Sequence, residues 1–154
     1  NLTSVEGGYD RTGSRSPMQW DKTLNAGFSL ASPEKLYIKQ DESDDRPDAE
    51  SQMADENSLY NEIRKLILIR RSHSALGNNS EIEFIYAEKN EYPLAFIRSS
   101  EDEKILVIIN PADREVSFPC EYKPKEAVYS FGREIAYEDK KITVPPCSAG
   151  FYRV

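Results

Sequence analysis

The amino-acid sequence predicts a mainly β protein, an antiparallel β-sandwich preceded by one α-helix and a long loop. Three observations carry this prediction. Residues 1 to about 54 have no sustained hydrophobic period and are rich in Gly, Ser, Pro and Asp. From Asn57 to Leu76 the apolar residues recur at helical spacing. After Asn78 the period falls to two, in short apolar runs separated by turn residues. The chain therefore divides at residues 1–78, loop and helix, and 79–154, sandwich.

A structureless stretch as long as the first segment is improbable inside a compact domain, so the loop is expected to lie on a scaffold outside the sandwich. Its acidic run, Asp41, Glu42, Asp44, Asp45 and Asp48, lacks the Gly and the closing Glu of a helix-loop-helix calcium loop and reads as a solvated segment. In the helix, Asp55, Asn57 and Ser58 are candidate N-caps. Leu59, Ile63, Leu66 and Ile67 form an apolar stripe, and Gly77 is the expected left-handed C-cap. Arg70, Arg71 and His73 fall near the last turns, where cations meet the negative end of the helix dipole, which gives His73 a structural role. The run Leu66 to Ile69 makes the middle of the helix apolar nearly all round, so the helix should be covered on two sides.

The sandwich strands follow. Ile82, Phe84 and Tyr86 alternate with Glu81 and Glu83; then come Leu94 to Ile97, Ile105 to Ile109, Val116 to Phe118, Val128 to Phe131, Ile142 to Val144 and Phe151 to Val154. Turn residues separate them, at Asn110 to Asp113, Gly132 and Pro145 to Pro146 among others. That is about seven strands. Ile105 to Ile109, apolar on both faces, is the expected central strand.

Composition narrows the function. The 154 residues, 38% hydrophobic, can support one domain's core. A formal charge of −7 argues against nucleic acid or an anionic membrane surface as partner, since both need a basic stripe. No apolar stretch is long enough to span a bilayer and no leader opens the sequence, so the expectation is a soluble chain; its compartment stays open, with the cytoplasm favoured. Cys120 and Cys147 have no zinc spacing; two inert thiols are preferred to one bridge. Position 1 is not Met, which suggests a processed protein or a fragment. No Gly-rich phosphate loop, nucleophile elbow, His-Glu-x-x-His or Cys-x-x-Cys occurs, and neither cofactor nor metal is expected.

One segment remains. "RTGSRSPMQWD", Arg11 to Asp21, carries two arginines four apart, a Gly, then Pro, Met and Trp, with neither helical nor strand period. With "NAGFS" just after it, this resembles the Arg-x-x-x-Arg-(Thr/Ser)-Pro-Met-Gln-Trp-Asp segment found late in the α-amylase family of glycoside hydrolases, in the branch holding α-glucosidases, oligosaccharide glucosidases and trehalose synthases. Here Ser16 stands where Thr is usual, and the acidic segment departs from that branch's proline-containing stretch. "SLYNEIRKLILIRRSHSAL" resembles the branch's last barrel helix, and the sandwich resembles the family's C-terminal domain.

The resemblance implies that residues 1–54 are the loop after the last strand of a β/α barrel and that Asn57–Leu76 is its last helix, lying between barrel and sandwich. Met18 and Trp20 would anchor the loop in the barrel. It implies retaining cleavage or transfer of α-linked glucosides, malto-oligosaccharides among them, by an Asp nucleophile, a Glu acid/base and a second Asp. All three belong to earlier barrel strands, so no catalytic residue is assigned in this chain. Arg11 matches the arginine that closes the pocket around the non-reducing glucose, and Arg15 is assigned as a loop-organising ion-pair former; these two are the candidate substrate-binding residues. The expected partner is the missing barrel, with self-association through the uncovered helix as its consequence. The rival reading is an independent carbohydrate-binding or interaction module, motivated by the sandwich and its many tyrosines, whose aromatic faces could stack on sugars.

Overall fold

The computed structural model describes residues 16–41 and 43–154, together with the backbone of Val5–Glu6 and Tyr9–Asp10. They form two compact units, one up to Lys65 and one from Leu66 on, and the boundary falls inside a helix.

The first unit is less bare than its composition suggests. Two short strands, β1 (Val5–Glu6) and β2 (Tyr9–Asp10), pair antiparallel. Single 3-10 turns cover Leu24–Gly27 and Pro33–Lys35. A short helix, α1 (Ala49–Ala54), is capped by buried Asp48, whose carboxylate accepts from the Ser51 N–H at 2.8 Å. Part of the acidic run is thus structural rather than merely wet. Its period was invisible because six residues make fewer than two turns.

Helix α2 (Leu59–Ser72) starts where Ser58 Oγ accepts from the Asn61 N–H at 3.2 Å, which settles the cap among the three candidates. Asn61 in turn donates to the carbonyls of Gln52, Met53 and Asp55, filling acceptors that α1 leaves open. The end differs from expectation. The helix stops at Ser72, His73 is extended, and a 3-10 turn follows at Ser74–Leu76. Gly77 has φ −71° and is not a left-handed cap. The helix ends five residues before the glycine, where Ser72 Oγ donates to the Leu68 carbonyl at 2.9 Å, and the segment around Ala75 and Gly77 is held instead by Arg98 and Glu103, as described below.

In the second unit, residues 81–153 form eight strands: β3 (Glu81–Tyr86), β4 (Leu94–Ser99), β5 (Lys104–Asn110), β6 (Val116–Pro119), β7 (Ala127–Phe131), β8 (Ala136–Glu138), β9 (Lys141–Val144) and β10 (Ser148–Arg153). They make a five-stranded sheet, β3-β4-β5-β10-β7, and a three-stranded sheet, β6-β9-β8, all antiparallel. The fold is the mainly β sandwich expected, with β5 at the middle of the larger sheet. The strand the sequence concealed is β8, which has one large apolar residue, Tyr137, in three.

Side chains that alternate along each strand divide the faces. Ala95, Ile97, Leu106, Ile108, Phe118, Ile142, Val144 and Tyr152 pack between the sheets. Asn110, buried at the end of β5, donates to the carbonyls of Arg114 (2.9 Å) and Pro145 (2.8 Å) and accepts from the Ala112 N–H, tying loops from both sheets. Ile105 and Val107 point to the opposite face, where Ala75, Leu76, Phe96 and Phe151 join them. Both cysteines are free thiols: Cys120 is buried, which pushes its pKa up, and Cys147 is exposed.

Candidate functional site

Arg11 and Arg15, the candidate substrate-binding residues, lie outside the described residues. The structure does describe the rest of their motif. The strands of backbone around Trp20 are held at three points: its N–H donates to the Ala26 carbonyl, and the carbonyls of Gln19 and Trp20 accept from Ala49 and Glu50, each at 2.9 Å. Asp21 accepts from both the N–H (2.8 Å) and the hydroxyl (2.6 Å) of Thr23. The following Asn-Ala-Gly is a backbone device. Asn25, Ala26 and Gly27 are left-handed in succession, with φ of 53°, 55° and 69°, a conformation that costs non-glycine residues unless their surroundings hold it. Buried Asn25 holds it by donating to the carbonyls of Ser29 (2.8 Å) and Ala31 (2.7 Å), and Gln40 donates to the Asn25 carbonyl. A Cβ at Gly27 would sit 2.6 Å from Asp21 Oδ2. Sequence picked out Asn25 and Gly27 only as part of the motif, because the need for left-handed backbone leaves only a glycine and an asparagine as signals, and Gln40 gave no signal.

This loop borders a cleft of about 420 Å³ lined in part by Thr23, Asn25, Glu34, Lys39, Gln40 and Arg46. It holds one carboxylate and two cations, not the pair of carboxylates a glycosidase needs. Elsewhere among the described residues, the carboxylates whose pKa is displaced, Asp41, Asp48 and Glu103, are all lowered. None is held protonated for acid catalysis, which requires the opposite displacement. Among the described residues no group of three or more His, Cys, Asp or Glu side chains could hold a metal ion, and no helix is long and apolar enough to cross a membrane.

What the second unit displays is an apolar surface. Register places Phe84, Phe96, Val107, Phe151 and Tyr129 side by side across all five strands of the large sheet. Phe84 and Phe96 meet with centroids 6.1 Å apart, and Tyr129 and Phe151 at 4.9 Å. The middle of the row is covered by Ala75 and Leu76, whereas Phe84 at one edge is 61% exposed. Beside it a cleft of about 560 Å³ opens between the last turns of α2 (Leu66, Arg70) and Phe96, Val107, Ile109 and Phe151. Helix α2 has no buried residue at all; Leu59 is 72% exposed, with Ile63 and Ile67 also exposed. The tyrosines of the sandwich do not form a comparable platform. Tyr86 and Tyr122 bond to Glu91 and Glu83, Tyr129 stacks on Phe151, Tyr152 is buried, and Tyr92 is left exposed.

A capped left-handed loop, a helix bare on its apolar face and a sandwich, in that order, agree with two family models. Residues 1–79 match the α-amylase catalytic domain and residues 82–150 the C-terminal domain of maltogenic amylase. The chain belongs to the α-amylase family. It is 28% identical over 149 residues to the oligo-1,6-glucosidase of Parageobacillus thermoglucosidasius, covering 94% of this chain and 26% of that protein. It is 30% identical over 118 residues to the trehalose-6-phosphate hydrolase of Bacillus subtilis, covering 77% of this chain and 20% of that protein. The solved trehalulose synthase MutB of Pseudomonas mesoacidophila MX-45 superposes with a TM-score of 0.77 at 26% identity, over 94% of this chain and 26% of its own. This member of the family thus spans about a quarter of the length of the relatives it matches.

Proposed function

We propose that this chain is the carboxy-terminal part of a retaining α-glucosidase-type or α-amylase-type enzyme acting on α-linked glucosides, malto-oligosaccharides among them. Residues 1–78 are the last loop and helix of its barrel and residues 79–154 its C-terminal sandwich, a division supported by the ranges of the two family matches. The nucleophile and acid/base come from the barrel, and the chain is inactive alone. Arg11 closes the glucose pocket and Arg15 organises the loop. The observation that carries this reading is the bare apolar stripe of α2. In water such a helix is marginal, and the family gives it a scaffold to cover it. Without that cover, the stripe drives self-association.

A chimera tests the reading. The matching C-terminal quarter of the Parageobacillus oligo-1,6-glucosidase is replaced by this chain, and hydrolysis of p-nitrophenyl α-glucoside is followed for the chimera and for the chain alone. The chimera should turn over and the chain alone should not. Turnover by the isolated chain, or a folded chimera without activity, would overturn the reading.

A further inference from the structure

The segment that leaves α2 is gripped from one side by a single hairpin. Glu103, next to the start of β5, accepts from His73 Nδ1 at 2.7 Å through one carboxylate oxygen and from the Ala75 N–H at 3.3 Å through the other. Arg153 of β10 stands 3.4 Å from the same carboxylate and also bonds Glu126. Arg98 of β4 does the converse, donating to the carbonyl of Ala75 at 3.2 Å and to that of Gly77. Between them, Ser74 and Ser100 share a hydroxyl bond of 2.7 Å, and Ser80 donates to the Ser74 carbonyl at 2.7 Å. The Glu103 and His73 side chains are 14% and 16% exposed. These bonds are thus partly desolvated and charge-assisted, which makes them stronger than their surface counterparts.

We propose that the β4–β5 hairpin is a two-jawed clamp on residues 73–77. The anionic jaw, Glu103, takes the His73 ring and the Ala75 N–H, and the cationic jaw, Arg98, takes the carbonyls of Ala75 and Gly77. The last helical residues and the sandwich then move as one body, and removing both jaws frees the segment without unfolding the sandwich. The sign arrangement is what makes this a clamp rather than ordinary packing. A carboxylate can only accept and a guanidinium can only donate, so neither jaw can replace the other. His73 is a positioning residue here, its ring fixing the carboxylate that holds Ala75.

Amide hydrogen exchange on the labelled 154-residue chain tests the clamp, using E103Q, R98Q and the double variant. E103Q removes the charge and leaves one acceptor oxygen for two donors, so it should speed exchange at Ala75 about tenfold, the ratio for the weakening of one charge-assisted bond. The double variant should extend the acceleration to Leu76 and Gly77, with Val107 and Ile108 of β5 unchanged within about twofold. Parallel acceleration at Val107 and Ile108 would mean that the pairs merely support the sandwich, and would overturn the proposal. So would unaltered protection of residues 75–77. Should the double variant fail to fold, E103Q alone decides at Ala75, whose N–H donates to that carboxylate.

Discussion

Glu103 shows how one residue reports the clamp through pH. Burial pushes its pKa up. The hydrogen bonds from His73 and Ala75 and the charges of His73 and Arg153 outweigh burial and bring it below its ordinary 4.5. The neighbours on the same depression are Asp102 and Lys104, with Ser72 and Ser74 from the helix side. A lowered folded pKa contributes stability that is present above about pH 4.5 and lost as the pH falls through the folded value. The wild-type chain should therefore lose more urea resistance between pH 7 and pH 3 than E103Q does, and equal losses would remove Glu103 as a source of acid sensitivity. Gly27 gives a second residue-scale test. Its φ of 69° and the crowding from Asp21 make Gly27→Ala cost about 1–3 kcal/mol. Trp20, the single tryptophan, bonds to Ala26 in the same loop, so its fluorescence should report an earlier unfolding of the first unit. Such roles are hard to read in a sequence. Glycine marks where a turn is allowed, but which carboxylate crowds it depends on contacts six residues away.

At the level of elements, apolar period was a good guide and end points were not. The stripe of α2 and the central place of β5 were legible because hydrophobic burial imposes a period over many residues, and errors at single positions average out. Strand β8 and helix α1 are too short for a period, and the segment that follows α2 is held by Arg98 and Glu103, more than twenty residues away in sequence. The same contrast predicts mutational effects. Ile108, with no exposed surface between the sheets, should cost about 2–5 kcal/mol on replacement by Ala. Ile63, exposed on α2, should change the stability of the isolated chain by less than about 0.5 kcal/mol when replaced by Gln. Chemical denaturation of the two variants compares them directly. A large effect at Ile63, measured at a dilution where the chain is monomeric, would mean that the helix is already covered within this chain. That would remove the observation on which the proposed function rests.

The whole molecule combines that bare helix, an uncovered edge of the large sheet at Ile82 and Phe84, and a formal charge of −7. The motif at Arg11 to Asp21 made the family legible, yet the site stayed out of reach for a physical reason. On the proposed reading, the chemistry is done by carboxylates assembled from other barrel strands, to which this chain would supply one loop. The two surface properties pull in opposite directions. Apolar exposure on this scale favours association of copies, while like net charge opposes it over about a Debye length, roughly 10 Å at 0.1 M salt. Sedimentation velocity should therefore show a monomer–dimer equilibrium that strengthens as salt rises from 0.05 to 0.5 M, on the order of the screening change just given. An association held by ion pairs would weaken instead. The double variant Ile63→Lys with Ile67→Lys should be monomeric at every salt concentration, because it adds charge to the stripe that would be buried. If the variant dimerises as well as the wild type, the stripe is not the contact. If the wild type stays monomeric in high salt, exposed apolar side chains on α2 and β3 do not suffice to bring two copies together.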